Sequence, residues 1–162
     1  MQHTISVLVV NQFGALSRIS GLFSGRGFNI ESLNVAETND PGVSRMTIVT
    51  RGDDKKIEQI TKQLNKLVDI IKVTDLTEEK FVDRELVLVK MNAEPRVREE
   101  ILRVVEIFRA KVVDVSPSTY TVEITGDEGK VNGLLDMLKP LGIKEIVRSG
   151  RIAISRGLKS IN

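Results

Sequence analysis

The 162-residue chain is 41% hydrophobic and 28% charged, a composition that describes a folded protein and not a disordered tail. Its 24 Lys+Arg against 22 Asp+Glu leave a formal charge of +2, far from the concentrated positive field that nucleic-acid backbones require, so nucleic acid is not expected as a partner. With no cysteine there is no disulfide, no thiolate metal site and no cysteine nucleophile.

The start, Met1-Gln2-His3-Thr4, runs into alternating strand pattern without a basic and apolar leader, and no apolar run approaches membrane-spanning length. We therefore expect a cytoplasmic protein with no membrane association. Thr4 to Val10 reads as a strand. Leu16, Ile19, Leu22 and Phe23 then fall at helical spacing until Gly25 and Gly27 stop the helix. Phe28 to Thr38 is extended, Asn39-Asp40-Pro41-Gly42 is a turn, and Ser44 to Thr50 alternates as the return strand of a hairpin. In Phe28 to Thr38 the apolar parity switches between Ile30 and Leu33, which calls for a bulge near Ser32 or an ordinary strand bend. Asp53 or Asp54 caps a helix with the stripe Ile57, Ile60, Leu64 and Leu67, and Asp69 to Leu76 is a fourth strand.

The second half repeats this order: strand Glu85 to Met91, helix Pro95 to Phe108, strands Lys111 to Ser116 and Thr119 to Thr125, helix Asp127 to Lys139, and strand from Ile143. Placing Ser44 on Ser118 matches Gly52 with Gly126, Asp53 with Asp127 and Lys56 with Lys130. The stripe of the second helix lands on Val131, Leu134, Leu138 and Leu141. The fold class is α+β: two tandem ferredoxin-like βαββαβ modules, residues 1–77 and 78–162, each a four-stranded antiparallel sheet covered on one face by two helices. The uncovered sheet face keeps apolar side chains, and we expect it or the sheet edges to pair in a dimer.

Catalytic chemistry is missing from the pattern. His3, the only histidine, lies at the N-terminus, so neither a triad nor a two-histidine zinc site can form within one chain. Gly21 to Gly27 follows a helix and precedes a strand, the reverse of a dinucleotide loop. Gly126-Asp127-Glu128-Gly129-Lys130 has glycines too close for a phosphate loop. Adjacent acids such as Glu99-Glu100 diverge as a solvated face. The 4% aromatic content lacks the stacking platforms of RNA-binding sheets.

Asn11 to Ile19, between the first strand and first helix, carries the most chemistry. Gly14 allows close backbone approach, the helix-start N–H groups near Ala15 to Ser17 suit a carboxylate, and Asn11 adds a donor and an acceptor. Taken alone, these residues fit a plain turn before a capped helix equally well.

Asn11-x-x-Gly14-x-Leu16-x-Arg18-Ile19, Phe23-Ser24-x-Arg26-Gly27-x-Asn29-Ile30-Glu31-Ser32-Leu33 and Ser44-Arg45-Met46-Thr47 closely resemble the ACT domain of acetolactate synthase (acetohydroxyacid synthase) small subunits. The likeness continues through Gln63 to Asp69, Arg84 to Lys90, Glu106-Ile107-Phe108-Arg109 and Arg148-Ser149-Gly150, nearly the whole chain. The resemblance implies a non-catalytic regulatory subunit of branched-chain amino-acid biosynthesis. Such a subunit activates a large thiamine-diphosphate-dependent catalytic subunit and confers feedback inhibition by valine. It implies no cofactor in this chain, with thiamine diphosphate, magnesium and FAD in the large subunit. It further implies a homodimer through the ACT domains, with Asn11, Gly14, Ala15 and Leu16 holding the effector and Asn29 and Ile30 of the neighbouring chain closing the site. The tail residues Arg148, Arg151, Arg156 and Lys159 fit either a contact with the large subunit or a solvated basic end. A free-standing ACT-type sensor of another partner is the alternative. A small enzyme on the same fold, such as an acylphosphatase, lacks a recognisable anion-binding arginine loop.

Overall fold

The computed structural model describes residues 1–158. The described residues divide into two units, 1–82 with 151–158, and 83–150. The first unit contains β1 (Gln2–Val10), α1 (Ala15–Gly25), β2 (Ile30–Glu37), β3 (Val43–Arg51), α2 (Asp54–Asn65) and β4 (Ile70–Asp75), with sheet order β2-β3-β1-β4. The second repeats the plan with β5 (Phe81–Asn92, entering from the first unit), α3 (Arg98–Ile107), β6 (Lys111–Val115), β7 (Thr119–Gly126), α4 (Glu128–Gly142) and β8 (Ile143–Arg148), ordered β6-β7-β5-β8. Every ladder among these eight strands is antiparallel. Both are ferredoxin-like α+β sandwiches, and no helix among the described residues is long and apolar enough to cross a membrane.

Periodicity places each core. In the first unit Ile5, Val7 and Val9 of β1 and Met46 and Ile48 of β3 face the stripes Ala15, Ile19, Phe23 and Ile57, Ile60, Leu64. In the second, Val87, Val89, Met91, Val122 and Ile124 meet Ile101, Val104, Val105 and Val131, Leu134, Leu138. Each buried side chain of this size contributes roughly 1.5–3 kcal/mol. The register between β2 and β3 shifts between Ile30 and Ser32, where the apolar parity switches.

The helix ends repeat as well. After α1, Phe28 N–H donates to Phe23 carbonyl at 2.9 Å and Gly27, at φ 74°, donates to Ser24 carbonyl at 3.1 Å. After α3, Ala110 donates to Val105 carbonyl at 2.9 Å and Arg109, at φ 54°, donates to Glu106 carbonyl at 3.1 Å. These are the paired bonds of a helix-terminating motif that puts one residue in the left-handed region.

Four features of the structure go beyond what the sequence pattern gave. The two compact units meet at Val82/Asp83, and the described residues from Arg151 onward pack with the first of them. The outer face of the first sheet is not left open. A ninth strand, β9 (Ile152–Ser155), pairs with β5, and the segment that carries it lies against Thr4, Ser6 and Arg45, with Thr4, Ser6 and Leu8 buried. Arg45 donates from Nε to Ser6 Oγ at 3.1 Å and from Nη2 to Ala153 carbonyl at 3.2 Å, while Asn34 Nδ2 donates to Arg151 carbonyl at 3.3 Å. The described arginines of the basic tail also bond within the chain: Arg151 Nη1 donates to Thr4 Oγ1 at 2.9 Å, Arg156 Nε to Phe81 carbonyl at 3.2 Å, and Arg148 Nε to Glu85 Oε1 at 2.6 Å. Lys159 lies outside the described residues. Finally, His3 packs into the fold. It is buried, with Nδ1 2.9 Å from Asp75 Oδ2, which ties β1 to β4, while Nε2 lies 3.4 Å from Asp54 Oδ1 without a hydrogen bond.

Candidate effector-binding loop

β1 ends at Val10, whose N–H donates to Asp69 carbonyl at 2.8 Å, and the chain then turns across the β2–β3 hairpin. Asn11 N–H donates to Gly42 carbonyl at 2.9 Å, and its Nδ2 donates to Pro41 carbonyl at 3.1 Å and Glu37 Oε1 at 3.3 Å. The donors of Asn11 are thus used inside the chain. Its carboxamide oxygen keeps acceptor capacity, with no partner among the described residues.

Gly14 is the residue before α1 and sits in the left-handed region at φ 81°, a conformation that a side chain makes costly. A Cβ there would lie 2.9 Å from Arg18 Nη1. Arg18 donates from Nε to Asp69 Oδ2 at 2.7 Å, its Nη2 pairs with the same carboxylate, and Nη2 also reaches Phe13 carbonyl at 3.4 Å. Asn11, Gln12 and Phe13 border an open pocket, and the Phe13 side chain is fully exposed.

The start of α1 differs from the other three helix starts. α2 and α4 are capped by Asp53 and Asp127, and α2, α3 and α4 carry acids in the first turn. α1 has neither a side-chain cap nor an acid in its first turn. Its partial positive charge is therefore uncompensated, and its N–H groups at Leu16 and Ser17 suit an external carboxylate. The corresponding entry to α3 has Val97 at φ −113° and no glycine, so the second unit does not repeat this loop.

Asn11, Gly14, Ala15 and Leu16 thus gather at one place. Ala15 is 4% exposed and packs into the core, which leaves only its backbone for a ligand, while Leu16 is 44% exposed. Asn29 and Ile30 are not brought to them within one chain. Ile30 pairs with Thr50 at the far end of β3, whereas Val10 pairs with Val43 at the near end. That separation is roughly 23 Å along the strand. Asn29 is exposed, its carbonyl accepts Thr50 Oγ1 at 2.8 Å, and Ile30 is half-buried against the first core. The sequence pattern missed the roles of Arg18 and Asp69. The i, i+4 spacing of Gly14 and Arg18 was the available signal. No group of three or more His, Asp or Glu side chains among the described residues is placed to hold a metal.

Residues 5–72 match the family described as AHAS small subunit-like ACT domain, and residues 84–157 match the small subunit of acetolactate synthase. The chain belongs to the acetolactate synthase small-subunit family. It is 54% identical to the acetolactate synthase small subunit of Aquifex aeolicus, over 96% of this chain and 81% of that one. It is 51% identical to the isozyme 3 small subunit of Escherichia coli, over 98% of each. The crystal structure of the small subunit from Thermotoga maritima superposes with a TM-score of 0.87 at 42% identity, covering 97% of this chain and 98% of that one. The second family match includes residues 151–157, which the fold packs with the first unit.

Proposed function

We propose that this chain is the regulatory subunit of acetolactate synthase, with no catalytic centre of its own, and that it activates the large catalytic subunit and makes it sensitive to valine. The supporting observation is the start of α1, the one helix of the four whose N-terminus has neither a side-chain cap nor an acid in its first turn. An amino acid supplies what that loop lacks. Its carboxylate meets the N–H groups of Leu16 and Ser17, its ammonium donates to the Asn11 carboxamide oxygen, and its branched side chain packs on Leu16. Thiamine diphosphate, magnesium and FAD belong, in this reading, to the catalytic subunit.

Dimerisation through β2 completes the site. β2 is an edge strand, and two copies paired antiparallel across a twofold axis put the start of one β2 beside the end of the other. Asn29 and Ile30 of a second copy then approach Glu37 and, through it, Asn11. An effector seated between copies favours one dimer geometry over another, which is the differential binding that allosteric control requires. An apolar slot separates valine from leucine or isoleucine only weakly, by about 1–3 kcal/mol per methylene.

The test is acetolactate formation by the purified large subunit with and without this chain, across a valine titration. Stimulation that valine reverses is expected. A rate that the chain does not change would sink the regulatory reading.

A further inference from the structure

One side chain braces the whole effector loop. Arg18 Nε and Nη2 grip the Asp69 carboxylate, Nη2 also holds the Phe13 carbonyl, and Nη1 lies where a side chain on Gly14 would have to go. Asp69 is itself buried, and its carbonyl accepts the N–H of Val10 at 2.8 Å, so the anchor is fixed to the end of β1. The loop leaves β1 at Val10 and enters α1 at Ala15. Arg18 therefore ties its far end back to its near end, by way of a residue distant in sequence.

We infer that Arg18 is a positioning residue for the effector, which it does not touch: it fixes the Phe13–Gly14 peptide so that the first N–H groups of α1 stay directed at the ligand carboxylate. The bare α-carbon of Gly14 is the seat of that guanidinium. The inference rests on the effector reading given above and adds the group that sets the affinity of the site.

A merely structural ion pair lowers stability when broken and leaves the affinity of the folded protein alone. The experiment is calorimetric titration of L-valine into the full chain, with a thermal melt of each variant without ligand. Arg18→Lys keeps a cation at Asp69 and cannot span both Asp69 and the Phe13 carbonyl. Asp69→Asn keeps the shape and removes the charge that seats the guanidinium. Each should raise the dissociation constant for valine about tenfold in protein that still melts cooperatively. Gly14→Ala should also weaken binding, and its penalty should shrink in the Arg18→Lys background, because the clash with Nη1 is then gone. A wild-type dissociation constant in either folded variant, or strictly additive penalties, overturns the inference. Wild-type protein that takes up no valine overturns it together with the effector reading, which separates the two failures.

Discussion

Asp53 and Asp127 occupy the same place in the two halves of the chain. Each is the residue before a helix, and each accepts the backbone N–H three residues on, Lys56 or Lys130, at 2.9 Å. A shared cap predicts a shared cost. Asp53→Ala and Asp127→Ala should each destabilise the protein by about 1 kcal/mol, with the first felt in α2 and the second in α4. Urea unfolding with hydrogen exchange of those helices checks it. A loss near zero in either would mean that water replaces the aspartate.

These caps were legible because the signal is local: a glycine, an acid and an apolar stripe at fixed offsets. The register shift between Ile30 and Ser32 was legible for the same reason, since a change of parity must be absorbed within the strand. The loop residues Asn11 and Gly14 declared themselves through turn chemistry. What stayed hidden depends on partners far apart in the chain. Arg18 meets Asp69 across 51 residues, and His3 meets Asp75 across 72. β9 alternates Ile152, Ala153 and Ile154 like any short strand. Nothing local tells it to lie against Arg45, a contact across 108 residues.

The comparison of helix ends yields a stabilising substitution. Gly27 and Arg109 hold equivalent positions after α1 and α3, at φ 74° and 54°. An arginine in the left-handed region costs roughly 1–2 kcal/mol. Glycine removes that strain and gives back part of the gain in unfolded-chain entropy. Arg109→Gly should therefore stabilise the second unit by roughly 0.5–1 kcal/mol, read as a higher urea midpoint with an unchanged slope. A lower midpoint would show that the arginine side chain makes contacts worth more than the strain.

Acid stability should report on Glu31. Its carboxyl accepts Gln2 Nε2 at 2.9 Å and pairs with Arg51. The Gln2 donation holds it below its ordinary value of 4.5 against partial desolvation, with Arg51 adding to the effect. A folded value below the unfolded one means that the unfolded chain binds the extra proton. The contribution is therefore present above the unfolded value and lost as pH falls through the folded value. The stability difference between wild type and Glu31→Gln should be flat above about pH 5.5 and shrink below about pH 4.5. A difference that stays constant down to about pH 3 rejects this account.

The returning tail should matter to the first unit. Ending the chain after Gly150 removes the Ala153 carbonyl from Arg45, the Arg151 carbonyl from Asn34 and the Arg151 guanidinium from Thr4. It also bares Ser6 and Leu8. Burial disfavours the charge on Arg45 and pulls its pKa below the ordinary guanidinium value, so losing an acceptor there is costly. The truncation should destabilise the first unit by roughly 2–4 kcal/mol, with faster amide exchange in β1 and little change in β7. Unchanged exchange in β1 would mean that the tail covers the face without supporting it.

Gly14→Asp separates strain from charge at the effector loop. The substitution puts a side chain at φ 81°, and its Cβ stands 2.9 Å from Arg18 Nη1. Aspartate tolerates this region better than most residues, so the strain should cost about 1 kcal/mol and leave a folded subunit that still activates the catalytic partner. The new carboxylate faces the place assigned to the ligand carboxylate, and it also competes with Asp69 for the guanidinium. Both effects oppose binding, so valine inhibition should weaken by at least about tenfold. Gly14→Ala carries the strain without the charge and should lose less. The gap between the two variants should narrow as salt rises, because only the charge repulsion is screened. Valine sensitivity retained in Gly14→Asp would place the effector elsewhere on the subunit, since neither the helix start nor the Arg18 brace could then be involved.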